Sequence, residues 1–171
     1  MCSFLKSAIP IAVGETAKGV LKKDEERIFV FTLTDPDKDV LLYLDTGGVG
    51  DVDIYLGSSR EINPEINSSF LFFSNDRGDD LLLLPHSHPR FRRRCSSSIV
   101  EAQGSCVFYV LLTAAAAAAA AANPFALTLS LQTLKPSFLA LNHPVAQTLS
   151  PRVPATFLFA DINPDYDYRL T

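Results

Sequence analysis

The sequence has little of the residues that mark several protein classes. Its 171 residues include three cysteines, eight glycines, one methionine and no tryptophan. Eight glycines exclude a collagen-like repeat, and three cysteines are too few for a small domain held together by disulfides. The chain also lacks an apolar stretch of about 18 residues, the length that a membrane-spanning helix needs. A globular chain with an apolar core remains.

The cysteines leave two interpretations open. Cys2, Cys95 and Cys106 do not have the C-x-x-C spacing of zinc sites. Cys95 and Cys106 can form a disulfide in an oxidising compartment if their Cα atoms lie within about 7 Å. The alternative is a buried free thiol at Cys106 and an exposed one at Cys95.

Short apolar and β-branched runs separated by polar turns dominate the chain. One of them alternates cleanly, with Val52 and Ile54 on one face and Asp53 and Tyr55 on the other. No segment has a convincing helical period. We therefore predict an all-β fold, an antiparallel β-sandwich or jelly roll of about seven to eight strands. The seven runs that we interpret as strands are 28–33, 40–44, 51–56, 70–73, 81–84, 106–112 and 125–131.

A run of nine alanines, Ala114 to Ala122, interrupts this pattern between two predicted strands. Alanine has the highest helix propensity, but nine residues are too few for a stable isolated helix. The run also lacks a polar face that would orient it against a partner. We predict an expanded loop with a helical turn or two.

An internal repeat indicates two domains. Residues 13–43 and 141–171 match at seven of 31 positions at a constant offset of 128, including Phe29 with Phe157 and Pro36 with Pro164. We predict a first domain at 9–132, a linker at 133–140 and the truncated start of a second copy at 141–171. The last segment supplies about two strands, too few to close a core, so we expect the chain to be part of a longer protein.

The order of several short motifs resembles the bacterial-type pre-peptidase C-terminal domain over about residues 9–132. The segment GDVDIYL, Gly50 to Leu56, is similar to the family's GDxDLY strand, and GSCVFYV, Gly104 to Val110, is similar to its GtYyvxV strand. The sequence departs from the family pattern at residues 89–103 and at the alanine run, which are both expected in loops. Further landmarks are the opening 16–21, the strand with Phe29 and Phe31, Asp79-Asp80-Leu81, and the closing 125–129.

This resemblance implies a non-catalytic accessory module of a larger extracellular or cell-surface protein, which binds a protein or a glycan. The alternative is an accessory C-terminal domain of a secreted peptidase or other hydrolase whose catalytic domain lies outside this chain. The first residues do not read as a secretory signal peptide. The serines at 96–98 lack a G-x-S-x-G context, so no nucleophile is predicted and the chain is not expected to be an enzyme.

Two groups of aspartates are candidate calcium ligands. Asp51 and Asp53 follow a glycine turn and offer the oxygen ligands that Ca²⁺ prefers. The competing interpretation is that one caps the turn while the other hydrogen-bonds the loop backbone.

The second group, Asp35, Asp37 and Asp39, has the D-x-D-x-D spacing that begins a calcium loop. However, Val40 replaces the required glycine, and Thr46 stands where a bidentate glutamate belongs, so an EF-hand is excluded. The alternatives are a solvated turn and a weak calcium site.

The segment Arg90-Phe-Arg-Arg-Arg94 holds four of the fifteen basic residues, so the remaining eleven face nineteen acidic ones, a net charge of −8. Such a local patch is unlike a nucleic-acid-binding face. We predict an exposed insertion loop, with an anionic partner such as a sulfated glycan or an acidic protein as the alternative function.

A histidine pair and a glycosylation sequon are two further candidate sites. His86 and His88 in the sequence PHSHP are interpreted as part of a surface loop, with a metal site as the alternative. Asn67 begins a glycosylation sequon, Asn-Ser-Ser, which has meaning only if the protein enters the secretory route.

Overall fold

Short strands form most of the regular structure in this computed structural model, which describes residues 7–114, 122–132, 137–139 and 157–159. The chain divides into two units, Met1–Gln132 and Thr133–Thr171. The elements of the first unit are β1 (Ile9–Pro10), β2 (Thr16–Lys22), β3 (Glu26–Leu33), β4 (Asp39–Asp45), β5 (Val52–Gly57), β6 (Phe72–Ser74), β7 (Asp80–Leu84), α1 (Pro89–Arg92), α2 (Ser97–Gln103), β8 (Cys106–Ala114) and β9 (Ala122–Gln132).

Two sheets form a sandwich in the first unit. The five-stranded sheet has the order β1-β3-β8-β5-β6, and the four-stranded sheet has the order β2-β9-β4-β7. Every neighbouring pair is antiparallel except β1 with β3. The predicted all-β antiparallel sandwich is therefore confirmed, with nine strands instead of about seven to eight. The two unpredicted strands, β1 and β2, are mostly exposed and lack an apolar run that would reveal them.

The period-two alternation of the strands builds the core between the sheets. Val52, Ile54 and Leu56 of β5 point inward and are fully buried, whereas Asp53 and Tyr55 lie on the outer face of the five-stranded sheet. Tyr55 packs there in a second, smaller apolar cluster with Ile28 and Leu111. Part of the outer face is therefore buried, because Ile62 and Phe70 of the loop after β5 pack against this cluster.

The expectation that residues 89–103 lie in a loop is wrong, because the segment is helical where the sequence shows no helical period, although its arginines are exposed as predicted. This segment forms α1 and α2, and α1 buries Phe91 completely against Phe108 of β8, with ring centroids 5.5 Å apart. A helix of four residues has too few positions to show a period, so the sequence pattern could not reveal it. No helix in the described residues is long and apolar enough to cross a membrane.

Cys95 and Cys106 form a disulfide with a Cα–Cα distance of 5.4 Å, so the free-thiol alternative is wrong. Both cysteines are buried in the main core, whereas the free-thiol alternative placed Cys95 at the surface. The bond joins the segment after α1 to the first residue of β8. Together with Phe91, it attaches the insertion to the sandwich at two points.

The second unit contains β10 (Ser137–Leu139) and β11 (Phe157–Phe159), which pair in parallel. Ser137 pairs with Phe157 as Ile9 pairs with Phe29, so the pairing recurs at the same offset of 128 that the sequence repeat shows. The strand β10 lies inside the predicted linker 133–140, so strand pairing begins before residue 141.

Several predicted features lie outside the described residues. These are Cys2, the interior of the alanine run at 115–121, and most of 141–171. Of the alanine run, Ala114 ends β8 and Ala122 begins β9.

Candidate functional site

The helix α1 and the two residues after it present a cluster of arginines at one end of the five-stranded sheet. His88 begins α1 as its N-cap, and its Nδ1 accepts a hydrogen bond from the backbone N–H of Arg90 at 3.1 Å. Phe91 points into the core, while Arg90, Arg92, Arg93 and Arg94 are exposed. The buried phenyl ring and the disulfide after it fix the direction in which these arginines project.

Arg93 and Arg94 lie between two open pockets and line both of them. One pocket, of about 290 Å³, also includes Ser58 and Gln103. The other, of about 240 Å³, also includes Arg90, Asn67 and Ser68. We call this surface the arginine face; it comprises Ser58, Asn67, Ser68, Arg90, Arg93, Arg94 and Gln103. Its polar side chains carry positive charge or hydrogen-bonding groups, and none of the described carboxylates lines either pocket.

The guanidinium groups of this segment have few hydrogen-bond or ionic partners among the residues that the structure describes. Arg90 Nη1 donates a hydrogen bond to the Leu71 carbonyl at 3.2 Å. In the described part of the chain, the side chains of Arg92, Arg93 and Arg94 form no ion pair or hydrogen bond. Arg27, by contrast, pairs with Glu25 at 3.2 Å. Arginines that repel one another without a carboxylate between them form a surface that favours anions.

The loop between β5 and β6, residues 58–71, supplies Ser58, Asn67 and Ser68 to the arginine face. Asn63 and Ser69 hold the loop together, because the Ser69 hydroxyl accepts from Asn63 N–H at 2.8 Å and donates to the Asn63 carbonyl at 2.7 Å. Gly57 permits close packing at the start of this loop, since a Cβ there would lie 2.9 Å from Ile62 Cγ1. The loop is therefore a defined part of the surface.

The opposite end of the same sheet carries an acidic groove of about 330 Å³. Tyr55 and Thr113 lie among the residues that line it. We use the name acidic groove for this concavity, whose carboxylates come from the turn before β3, the first residue of β3, β5 and the β5–β6 loop: Asp24, Glu25, Glu26, Asp53 and Glu65. One loop thus contributes to two surfaces of opposite charge.

Asp53 has the most perturbed carboxyl group at this end. Burial, and then the nearby charges of Asp80 and Asp51, raise its pKa to about 6. The pKa of Tyr55 is raised as well, first by burial and then by the charge of Asp53. Glu25 shows the opposite effect, because hydrogen bonds from Lys22 N–H and the Arg27 side chain lower its pKa.

Asp80 is a buried carboxylate close to this groove. Its Oδ1 accepts hydrogen bonds from the Ser74 hydroxyl at 2.6 Å and from Asp76 N–H at 3.0 Å. Its Oδ2 is buried and has no hydrogen-bond partner among the described residues. Burial is the main cause that raises the pKa of Asp80.

The structure places the carboxylates of three of the five candidate calcium ligands, Asp35, Asp39 and Asp51, in hydrogen bonds with the backbone. Asp35 Oδ1 accepts from Asp37 N–H at 3.1 Å, and Asp51 Oδ1 accepts from Gly78 N–H at 3.2 Å. Asp39 is buried, and its Oδ1 accepts from the N–H of His86 at 2.7 Å. Within the described ranges, no three aspartate, glutamate, histidine or cysteine side chains form a group that could hold a metal ion. Calcium binding stays a prediction.

The two histidines have separate structural roles. His86 Nδ1 lies 2.8 Å from Asp39 Oδ1, while His88 caps α1 and its ring contacts the ring of Phe72. Asn67, the predicted glycosylation site, is exposed and lines the 240 Å³ pocket beside the arginines. Sequence reasoning missed the contribution of Ser58 and Gln103 to the arginine face, because neither stands in a charged or patterned segment.

Comparison with known proteins gives similarities of fold at low sequence identity. The pre-peptidase C-terminal domain of a collagenase from Bacillus anthracis is similar at 12% identity and a TM-score of 0.43, over 73% of this chain and 96% of that domain. PliG of Aeromonas hydrophila, a periplasmic inhibitor of g-type lysozyme, is similar at 14% identity and a TM-score of 0.43, over 74% of this chain and 96% of its own.

PliG of Salmonella Typhimurium, another inhibitor of g-type lysozyme, is similar at 11% identity and a TM-score of 0.36, over 74% of this chain and 100% of its own. No protein-family profile matches this chain, and no curated protein sequence does. The resemblance that the sequence motifs indicated and the first of these structures concern the same kind of domain.

Proposed function

We propose that this chain is a non-catalytic accessory module that binds an anionic partner through the arginine face. The observation that supports this most is the way in which the arginines are held. Arg93 and Arg94 have no ionic partner in the described part of the chain, yet the segment that carries them is anchored by Phe91 and by the Cys95–Cys106 bond. A charged segment that only kept the protein soluble would not need a buried ring and a covalent bond.

The disulfide also supports an extracellular or cell-surface location. Disulfides persist in oxidising compartments and are rare where thiols are kept reduced. The repeated strand register, Ile9 with Phe29 and Ser137 with Phe157, supports a tandem arrangement in which a second copy follows the first. A module that occurs in tandem can bind one extended partner at several points, which raises the overall affinity.

The proposal is tested with a pair of double charge reversals that change the net charge equally. Arg93→Glu with Arg94→Glu alters the arginine face, and Lys18→Glu with Arg77→Glu alters exposed residues of β2 and of the turn before β7. Binding of the full chain to immobilised heparin, hyaluronan and polyglutamate is measured by surface plasmon resonance. We expect the first pair to abolish binding and the second to retain most of it.

Two results would contradict the proposal. One is that the unaltered chain binds none of the three polyanions at moderate salt. The other is that both double variants lose binding equally, which would show a dependence on net charge alone. Circular-dichroism melts of each variant establish that the fold is retained, since all four residues are exposed.

A further inference from the structure

We infer that the ligand of the arginine face is a sulfated glycan chain that lies across both pockets at once. This inference rests on the proposed function and names the class of partner. Three properties of the surface lead to it: the type of cation, the neutral residues beside the cations, and the continuity of the two pockets through Arg93 and Arg94.

The cations are all arginines. The guanidinium group is planar, is weakly hydrated compared with an ammonium group, and offers five N–H donors. It is suited to oxyanions that have several acceptor oxygens, such as a sulfate group. Arg90, Arg93 and Arg94 lie around one pocket, so an anionic group placed there meets donors from three side chains.

The neutral side chains of the arginine face are hydroxyls and carboxamides. Ser58 and Gln103 line one pocket, and Asn67 and Ser68 line the other. These groups both donate and accept hydrogen bonds, as the hydroxyls of a sugar do. An acidic peptide would use the arginines equally well, but its other side chains would leave these donors and acceptors partly unmatched.

The two pockets form one continuous surface. Because Arg93 and Arg94 line both, a ligand that fills only one pocket uses these guanidinium groups from one side. A glycan chain that carries sulfate groups at regular intervals places anions in both pockets and so contacts Arg93 and Arg94 from both sides. We therefore expect affinity to rise with chain length until the glycan spans the two pockets, and to fall steeply with salt because the charges are exposed.

The test compares heparin with chemically desulfated heparin, which keeps the sugar backbone and its carboxylates, and with polyglutamate. Isothermal titration of the full chain is expected to show binding to heparin at least about tenfold tighter than to either control, the factor that 1.4 kcal/mol of charge-assisted hydrogen bonding produces. A series of heparin oligosaccharides is expected to gain affinity with length and then reach a plateau.

Two isosteric variants probe each pocket separately. Gln103→Glu adds one negative charge beside one pocket and Asn67→Asp beside the other, each with almost no change in shape. We expect each to weaken heparin binding by about threefold to tenfold, as one unfavourable charge contact does. Asn75→Asp, which adds the same charge at an exposed carboxamide in the turn after β6, serves as the control and is expected to leave heparin binding unchanged.

The outcomes separate this inference from the proposed function. Equal affinity for heparin and desulfated heparin, or tighter binding of polyglutamate, would overturn the glycan inference while leaving an anion-binding arginine face. If Gln103→Glu and Asn67→Asp leave heparin binding unchanged while Arg93→Glu with Arg94→Glu abolishes it, the ligand does not occupy both pockets. Absence of binding to every polyanion would reject both proposals.

Discussion

The arginine face and the acidic groove occupy opposite ends of one sheet and are built in different ways. Along β8 the six steps from Val107 to Thr113 separate them by about 20 Å at roughly 3.3 Å per residue, whereas in the β5–β6 loop Glu65 of the groove and Asn67 of the arginine face are two residues apart. The arginines stand on an insertion outside both sheets, which touches the core through Phe91 and the disulfide. The carboxylates of the groove come from the sheet itself and from the turns beside it.

This difference predicts different costs for the two charged surfaces. The arginine side chains are exposed, so their charges are screened by solvent and salt, and changing them leaves the sandwich almost unaffected. Asp53 and Asp80 are partly or fully removed from water, and burial raises the pKa of both carboxyl groups. We therefore expect the arginine end to depend on its anchors, and the acidic end to depend on pH.

The largest expected effect is loss of the aromatic anchor. Phe91→Ala removes a fully buried ring that stacks on Phe108, and such truncations cost about 3–5 kcal/mol of unfolding free energy. Chemical denaturation followed by circular dichroism measures the change. Val49→Ala, at a side chain that is 70% exposed, is the control and is expected to stay within about 0.5 kcal/mol of the original protein. Equal midpoints for the two variants would show that Phe91 is not an anchor.

The second effect is loss of the covalent anchor. Replacing both Cys95 and Cys106 with alanine is expected to lower the unfolding free energy by about 2–4 kcal/mol, the usual contribution of a native disulfide. The measurement is made in a Cys2→Ala background, so that no third thiol can exchange with the pair. A reducing agent should lower the stability of the background protein by a similar amount and leave the double variant unchanged. If the reducing agent does not change the stability of the background protein, the result contradicts a disulfide between Cys95 and Cys106.

The third prediction concerns Asp53 in the acidic groove and the dependence of stability on pH. The pKa of Asp53 is about 6 in the folded protein, above the ordinary value of 3.8, so the folded state favours the protonated form. Asp53 therefore lowers stability as pH rises from about 4 to above 6, and below about 4 it makes no difference because both states are protonated. Asp53→Asn should remove this loss.

Solvent reduces this effect because Asp53 is only half-buried, and we expect about 1 kcal/mol or less at neutral pH. The melting temperature of Asp53→Asn is then about 2–4 °C above that of the original protein near pH 8, and equal to it near pH 3.5. Asp37→Asn, at an exposed aspartate, is the control at both pH values. A constant difference across the pH range would mean that packing, and not charge, explains the effect of Asp53→Asn.

The smallest expected effect concerns calcium. Carboxylates of Asp35, Asp39 and Asp51 already accept hydrogen bonds from backbone N–H groups. We therefore expect thermal melts in calcium and in EDTA to agree within error. A higher melting temperature in calcium would revive the calcium hypothesis for these aspartates, because a cation that binds only the folded state stabilises it by mass action.

The pattern of apolar residues predicted more of the fold than of the candidate site. A strand lies in each of the seven predicted runs, although β6 covers only 72–74 where 70–73 was predicted. The period is clearest in β5, which places Val52, Ile54 and Leu56 in the core. The sequence also drew attention to the arginine segment, for which binding of an anionic partner was the alternative interpretation. It did not identify Phe91 as a core residue, because one aromatic among four arginines has no neighbours with which to form a period.

The sequence by itself therefore determined the layered all-β architecture, since strand periodicity and turn residues are local and repeat along the chain. It also determined the repeat at an offset of 128, which the strand register follows. Tertiary structure decided that Cys95 meets Cys106, that the β5–β6 loop completes both charged surfaces, and that Asp53 and Asp80 influence each other. These relations join residues far apart in the chain, and only the folded sandwich sets the distances between them.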